Sequence, residues 1–219
     1  MHVFDVIGPV MVGPSSSHTA GAVRIARVAR IILQEEIKKA KVILHGSFAE
    51  TYMGHGTDRA IIGGLMGFST DDIRIRDSIK IAEEAGKEFN IETGFLGDVH
   101  PNTVLIEAEG MSGRVVSVLG SSIGGGNIAI KKINGVEVDF SGRYHILIIE
   151  HKDRPGAVAV VTGILGRNNT NIAIMKVYRS YKGGKAIMVI ETDQSVDEGI
   201  INEIKGQPNI LDVTSINLI

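Results

Sequence analysis

Apolar positions along this chain follow two rhythms, one of 3.6 residues and one of two. From Ser16 onward Ala22, Ile25, Ala29 and Ile32 recur at helical spacing, which predicts a helix over 16–39. Arg24, Arg27 and Arg30 form a ridge on it at intervals of three, read as a solvated face or a contact for a partner. A short β-branched run over 41–48 predicts a buried strand. Residues 49–53 and 57–66 read as helix interrupted by Gly54-His55-Gly56, and 77–90 as a further amphipathic helix. From Ile91 the period shortens. Residues 91–95, 103–108, 114–119 and 127–133 read as strands between glycine-bearing turns, and Asn134-Gly135 is a type I′ hairpin signal.

Ser141-Gly142-Arg143 reads as a linker between a first domain, 1–140, and a second, 144–219. The second reads strand 144–150, helix 156–167, strands 171–178 and 185–192, helix 196–205 and strand 210–218. That order fits a ferredoxin-like βαββαβ sandwich, and the whole chain falls in the α+β class.

Composition narrows the chemistry. With 43% hydrophobic and 22% charged residues and a net charge of −2, the chain lacks the basic excess of a nucleic-acid binder. No apolar run is long enough to span a bilayer, and Met1-His2-Val3-Phe4-Asp5 lacks the charged start of a signal peptide, so a cytoplasmic location without membrane contact is expected. Cysteine is absent, which excludes disulfides, thiol catalysis and a cysteine-held iron–sulfur cluster on this chain. The histidines show no metal-binding pair at helical or short-loop spacing.

The densest chemistry lies at Gly13-Pro14-Ser15-Ser16-Ser17-His18-Thr19, just before the first helical run. A helix N-terminus offers unsatisfied N–H groups and the positive dipole end, so Ser15, Ser16, Ser17 and Thr19 there suit a carboxylate or phosphate. His18 adds a group that exchanges a proton near neutral pH. The plainer alternative is that one serine caps the helix and His18 lies on the surface. His55 has glycine on both sides, which suits a ring approached closely by substrate or a partner chain; it also suits a flexible surface turn. His100-Pro101-Asn102 has ordinary turn chemistry. Gly124-Gly125-Gly126 suits either backbone amides wrapped around an anion or a wide turn.

In the second domain, His151-Lys152-Asp153-Arg154-Pro155-Gly156 forms the loop after the first strand. Pro155 is expected at the first helical position, and Asn171 at the start of the next strand is expected to face that loop. This unit resembles the ACT domain, a regulatory module for small amino acids. It is most similar in pattern to the serine-binding ACT domain of bacterial 3-phosphoglycerate dehydrogenase. The resemblance implies an effector site at His151, Asp153, Gly156 and Asn171, with a carboxylate at Asp153 where that pattern has an amide. The alternative is a dimerisation module without ligand.

The whole chain resembles the β chain of the oxygen-sensitive, iron–sulfur L-serine dehydratase. The resemblance rests on Phe4-Asp5-Val6-Ile7-Gly8-Pro9, the serine-rich segment with Ala20-Gly21-Ala22, Gly54-His55-Gly56-Thr57-Asp58, His100-Pro101-Asn102-Thr103, and Ser122-Ile123-Gly124-Gly125-Gly126-Asn127. It implies a partner α chain that carries the cysteines and a [4Fe-4S] cluster, whose open iron acts as Lewis acid on the serine hydroxyl. It implies catalytic roles for Ser15, Ser16, Ser17, His18, Thr19, His55 and Gly56, and a first domain like the allosteric substrate-binding domain of some 3-phosphoglycerate dehydrogenases. A homodimer of this chain through either domain is expected. The rival reading is a non-catalytic amino-acid sensor that controls another enzyme.

Overall fold

The computed structural model describes residues 10–141 and 144–217. Phe4-Asp5-Val6-Ile7-Gly8-Pro9, part of the resemblance, and Gly142-Arg143 of the expected linker lie outside the described residues. By contacts the chain divides into two units between Gly135 and Val136, at the tip of the Asn134-Gly135 hairpin.

The first unit begins with a π-helical turn, Ser16–Gly21, that runs into α1 (Ala22–Leu33). Then come β1 (Ile37–Leu44), α2 (Ser47–His55), α3 (Thr57–Leu65), a 3₁₀ turn (Ile73–Asp77), α4 (Ser78–Glu84) and β2 (Glu88–Thr93). Strands β3 (Thr103–Gly110), β4 (Val115–Gly124) and β5 (Asn127–Ile133) follow, in the sheet order β2-β1-β3-β4-β5, and β6 (Val136–Phe140), the first strand after the division, continues the chain. Among the described residues β1 and β2 are the strands paired in parallel, with the α2–α4 segment as the crossover between them. One sheet face carries Val42, Leu44, Val104, Ile106, Val116 and Val118, all buried beneath the helical layer, in which α1 packs on β3, β4 and β5 and α3 packs on α1. The other face is charged, with Lys39 paired to Glu109 and Lys41 to Glu92, both at 3.1 Å.

Two predicted helices are shorter than their periodicity. α1 stops at Leu33 because Gln34 turns left-handed (φ 61°) and donates its N–H to the carbonyls of Arg30 and Ile31. Residues 37–39, expected to be helical, instead open β1. α4 stops at Glu84, where Gly86 (φ 67°) breaks the run, and Glu88 enters β2 opposite Lys39. α2 includes Gly54 and His55, so the break between α2 and α3 falls at Gly56 alone. The arginine ridge is half-buried rather than a solvated face: Arg24 donates to the Gly126 carbonyl at 2.9 Å and Arg30 to that of Leu65 at 3.2 Å.

The second unit contains β7 (His145–Lys152), α5 (Ala157–Arg167), β8 (Ile172–Arg179), β9 (Lys185–Thr192), α6 (Glu198–Lys205) and β10 (Ile210–Ile216). Its sheet order, β10-β7-β9-β8, is that of the ferredoxin-like sandwich. Leu147, Ile149, Met188 and Ile190 of the sheet meet Val161, Leu165 and Ile204 of the helices in one core. Pro155 is not the first helical residue. Gly156, at φ 90°, caps α5 from a left-handed conformation and places Pro155 in the preceding turn.

Candidate functional site

The serine-rich segment builds the start of the first helix. Ser15 is extended (φ −140°), and its Oγ accepts the His18 N–H at 3.1 Å while its carbonyl accepts that of Thr19 at 2.8 Å. Ser15 is therefore the cap. Ser16 and Ser17 are not needed for capping and place their half-buried hydroxyls and first-turn N–H groups around the same bend. Gly21 lets this bend approach β4, since a Cβ there would collide with the Ser122 hydroxyl. Ser122 is fully buried and its Oγ has no hydrogen-bond partner.

The fold brings His18 and His55 together across 37 residues of chain, with ring centroids 4.7 Å apart and a 45° tilt. His18 Nδ1 lies 3.4 Å from Ser15 Oγ and Nε2 lies 3.2 Å from Ser47 Oγ, with the Phe48 ring edge-on at 5.3 Å. Burial and then the neighbouring His55 push the His18 pKa below its ordinary value, against a smaller opposing effect of the Ser47 contact. Burial and His55 both favour the neutral ring. His55 is the last residue of α2, its carbonyl accepting from Thr19 Oγ1 at 3.4 Å and its Nδ1 buried without a partner. Gly56 makes the left-handed turn (φ 66°) that starts α3. A cleft of about 710 Å³ opens beside His55, lined also by Thr19, Gly56, Arg59 and Arg76. Ser15, Ser16, Ser17 and His18 do not line it.

Two other motifs brace this region. Gly46 packs against Pro101, whose carbonyl accepts the Phe48 N–H at 3.4 Å, and His100 Nδ1 accepts the Asn102 N–H at 3.1 Å. Gly124, Gly125 and Gly126 all have positive φ and form the β4–β5 turn that Arg24 holds. Asn102 accepts the Ser122 N–H at its carbonyl, and its own Oδ1 is buried without a partner. Ser122 stands in the sequence only as part of the Ser122–Asn127 motif, and no motif marks Ser47. Ser47-Phe48-Ala49-Glu50 has capping-box spacing, but Gly46 occupies the cap position and leaves the Ser47 hydroxyl to His18.

In the second unit the four effector candidates do not gather. His151 is 2% exposed, with Nδ1 2.9 Å from the Lys152 carbonyl and Nε2 unpartnered. Asp153 accepts from the Gly183 N–H at 2.9 Å and from Arg179 at 3.1 Å, and in that order these hold its carboxyl below the ordinary range. Gly156 has open space where a Cβ would stand. Asn171 does not face this loop. It donates to Asp193 at 2.5 Å, just past the Thr192 end of β9, whereas His151 pairs with Ala186 near the other end. Antiparallel pairing of β8 with β9 and of β9 with β7 forces this: the start of β8 lies beside the start of β7, roughly 20 Å along the strands from its end.

Among the described residues no group of three or more His, Asp or Glu side chains converges, and the chain has no thiolate. Its donor set does not fit an iron–sulfur cluster, so none is assigned to it.

The fold is that of a two-part chain in which a helix-covered mixed sheet precedes an ACT domain, the latter matched by its family profile over residues 145–209. The profile of the serine dehydratase β chain matches residues 2–97. A probable L-serine dehydratase β chain of Bacillus subtilis is 47% identical over 98% of this chain and 97% of its own length. An L-serine dehydratase β chain of Peptoniphilus asaccharolyticus is 41% identical over 93% of this chain and 92% of its own. The chain belongs to the serine dehydratase β-chain family. A D-3-phosphoglycerate dehydrogenase of Methanocaldococcus jannaschii is 30% identical over 89% of this chain, which corresponds to 36% of that enzyme.

Proposed function

We propose that the chain is the β subunit of an L-serine dehydratase, a lyase that converts L-serine to pyruvate and ammonia, and that it completes the active site against a cysteine-bearing α chain. The observation that carries this reading is the juxtaposition of His18 and His55 at 4.7 Å beside the serine-rich turn. The whole-length relatives named L-serine dehydratase β chain support it. The [4Fe-4S] cluster belongs, in this reading, to the α chain.

The reaction removes a proton from Cα and hydroxide from Cβ; the aminoacrylate left behind hydrolyses to pyruvate and ammonium. This chain's residues act on charge and protons. The first-turn N–H groups and hydroxyls of Ser16 and Ser17 hold the substrate carboxylate at the positive end of the helix. Thr19 fixes the carbonyl of His55, and Gly56 leaves room beside its ring. His55, which lines the cleft, is the imidazole placed to exchange a proton with the substrate. The ACT domain regulates or assembles the complex; His151, Asp153 and Gly156 form its effector loop, with L-serine as the effector. Asn171, at the far end of the sheet, takes part only through a second copy of the chain. The complex works in the cytoplasm.

The test is anaerobic co-expression with the α chain, measuring pyruvate release from L-serine with each chain alone as control. Activity in the mixture alone is expected, and His55→Ala is expected to lower kcat at least about 100-fold. No activity with an intact cluster on the α chain contradicts the reading.

A further inference from the structure

We propose that Ser47 is a positioning residue of this site: its hydroxyl locks the His18 ring behind His55 and so fixes His55 against the substrate. The proposal rests on the dehydratase reading above.

Three observations lead to it. The first is that the Ser47 hydroxyl is not spent on its own helix, because Gly46, in an unusual backbone conformation (φ 54°), occupies the cap position of α2 without a side-chain bond. The Ser47 carbonyl already serves α2 by accepting from Thr51 at 2.7 Å, while Oγ contacts His18 Nε2 at 3.2 Å. The second is that both ring nitrogens of His18 face hydroxyls, Ser15 at Nδ1 and Ser47 at Nε2. A hydroxyl donates or accepts as required, so the neutral ring is satisfied in either tautomer. His55 differs: it lines the cleft and its buried Nδ1 has no partner.

The third observation is topological. Ser47 and His55 are the first and last residues of α2, separated by about 12 Å of helix. His18 touches residues at both ends, through its Nε2 at Ser47 and its tilted ring at His55, and meets the Phe48 ring edge-on. One imported side chain thus braces the helix that carries His55, with Ser47 as its anchor. Among the described groups packed around His18, His55 is the titratable one; Arg59, Arg76 and Asp77 line the cleft on the His55 side.

The variants are Ser47→Ala and Ser47→Thr in the assembled enzyme, with ring nitrogens read by long-range proton–nitrogen spectra on the full β chain. Ser47→Ala is expected to lower kcat about tenfold, the worth of one lost hydrogen bond to a working group, with KM changed less than about twofold. It is also expected to move the acid limb of the kcat/KM profile and the His18 ring signals. Ser47→Thr keeps the hydroxyl and is expected to restore kcat to within about threefold. Unchanged His18 signals in Ser47→Ala overturn the proposal, whatever happens to activity, because a merely structural loss would leave the ring environment intact. An unchanged kcat overturns it as well. If the wild-type complex fails to turn over serine, the dehydratase reading fails instead, while the ring spectra still report whether Ser47 holds His18.

Discussion

Gly64 lies in α3 where that helix crosses α1, and replacing it by alanine isolates the close approach that brings His18 and His55 together. A Cβ at Gly64 would stand 2.5 Å from the Val23 carbonyl oxygen and 2.7 Å from the Ala26 Cβ. Both are parts of α1 with no torsion to relieve them. Reaching even 3.0 Å requires α3 to move from α1 by about 0.5 Å. Overpacking of this kind costs about 1–3 kcal/mol. Against it stands the helix-propensity gain of glycine to alanine, at most about 1 kcal/mol and smaller near a helix end. The net expectation is a destabilisation of about 1–2 kcal/mol. Gly163 in α5 is the control: its Cβ would meet Arg167 Nη1 at 3.6 Å, ordinary contact with a flexible group. Gly163→Ala should therefore stabilise by about 0.5–1 kcal/mol. Urea unfolding of the full chain measures both, with the two units followed separately. In the assembled enzyme Gly64→Ala should also lower kcat by about tenfold, since a 1 Å misplacement at a catalytic group costs about 10²-fold and the shift here is about half of that. If Gly64→Ala proves as stable as the wild type, the close helix crossing is not what fixes the geometry of the site.

Three further outcomes follow from individual side chains. Glu191 is 4% exposed with Oε2 unpartnered, and burial raises its pKa against the pull of Lys176. Its contribution is favourable below the unfolded carboxyl value and is lost as pH rises through the folded one, so Glu191→Gln should raise the urea midpoint at pH 7; no rise counts against the burial argument. The depressed His18 pKa has the opposite sense. The unfolded chain takes up the proton first, so its contribution is full above about pH 6.5 and falls away as pH drops; the wild type should lose more stability than His18→Gln between pH 7 and 5. Leu165, fully buried among Leu147, Ile190 and Ile204, should cost about 2–5 kcal/mol as alanine, read in the unfolding of the second unit, and a smaller loss would mean that the core closes over the gap.

What could be read in the sequence was what local chemistry dictates. Asn134-Gly135 forms the expected turn with φ of 50° and 78°, because few residue pairs tolerate two positive values. Strand β9 coincides with the predicted 185–192, since a short continuous apolar run, Ala186–Ile190, entered from Gly183-Gly184 and left at Asp193, suits a strand buried on both faces. The βαββαβ order of the ACT domain was legible for the same reason, each element being announced by its own period. The ends of α1 and α4 were not. In each, helical spacing runs on into residues that the sheet claims, and the choice was made by strand pairing between β1 and β2 together with a left-handed residue, Gln34 or Gly86.

The same division holds at the site. The sequence by itself determined which groups exist: three serines at a helix start, two histidines, a glycine on either side of His55, and no thiol. Tertiary structure alone decided their partners. It set His18 against His55, gave His18 the Ser47 hydroxyl, seated Ser122 under Gly21, and carried Asn171 to the end of the sheet opposite the loop it was expected to face. The physical reason is that torsional preference and periodicity are properties of neighbours in the chain. The turn that carries His18 leads into α1 and the helix that ends at His55 leads into α3, and the missing Cβ of Gly64 admits the close crossing of those two helices.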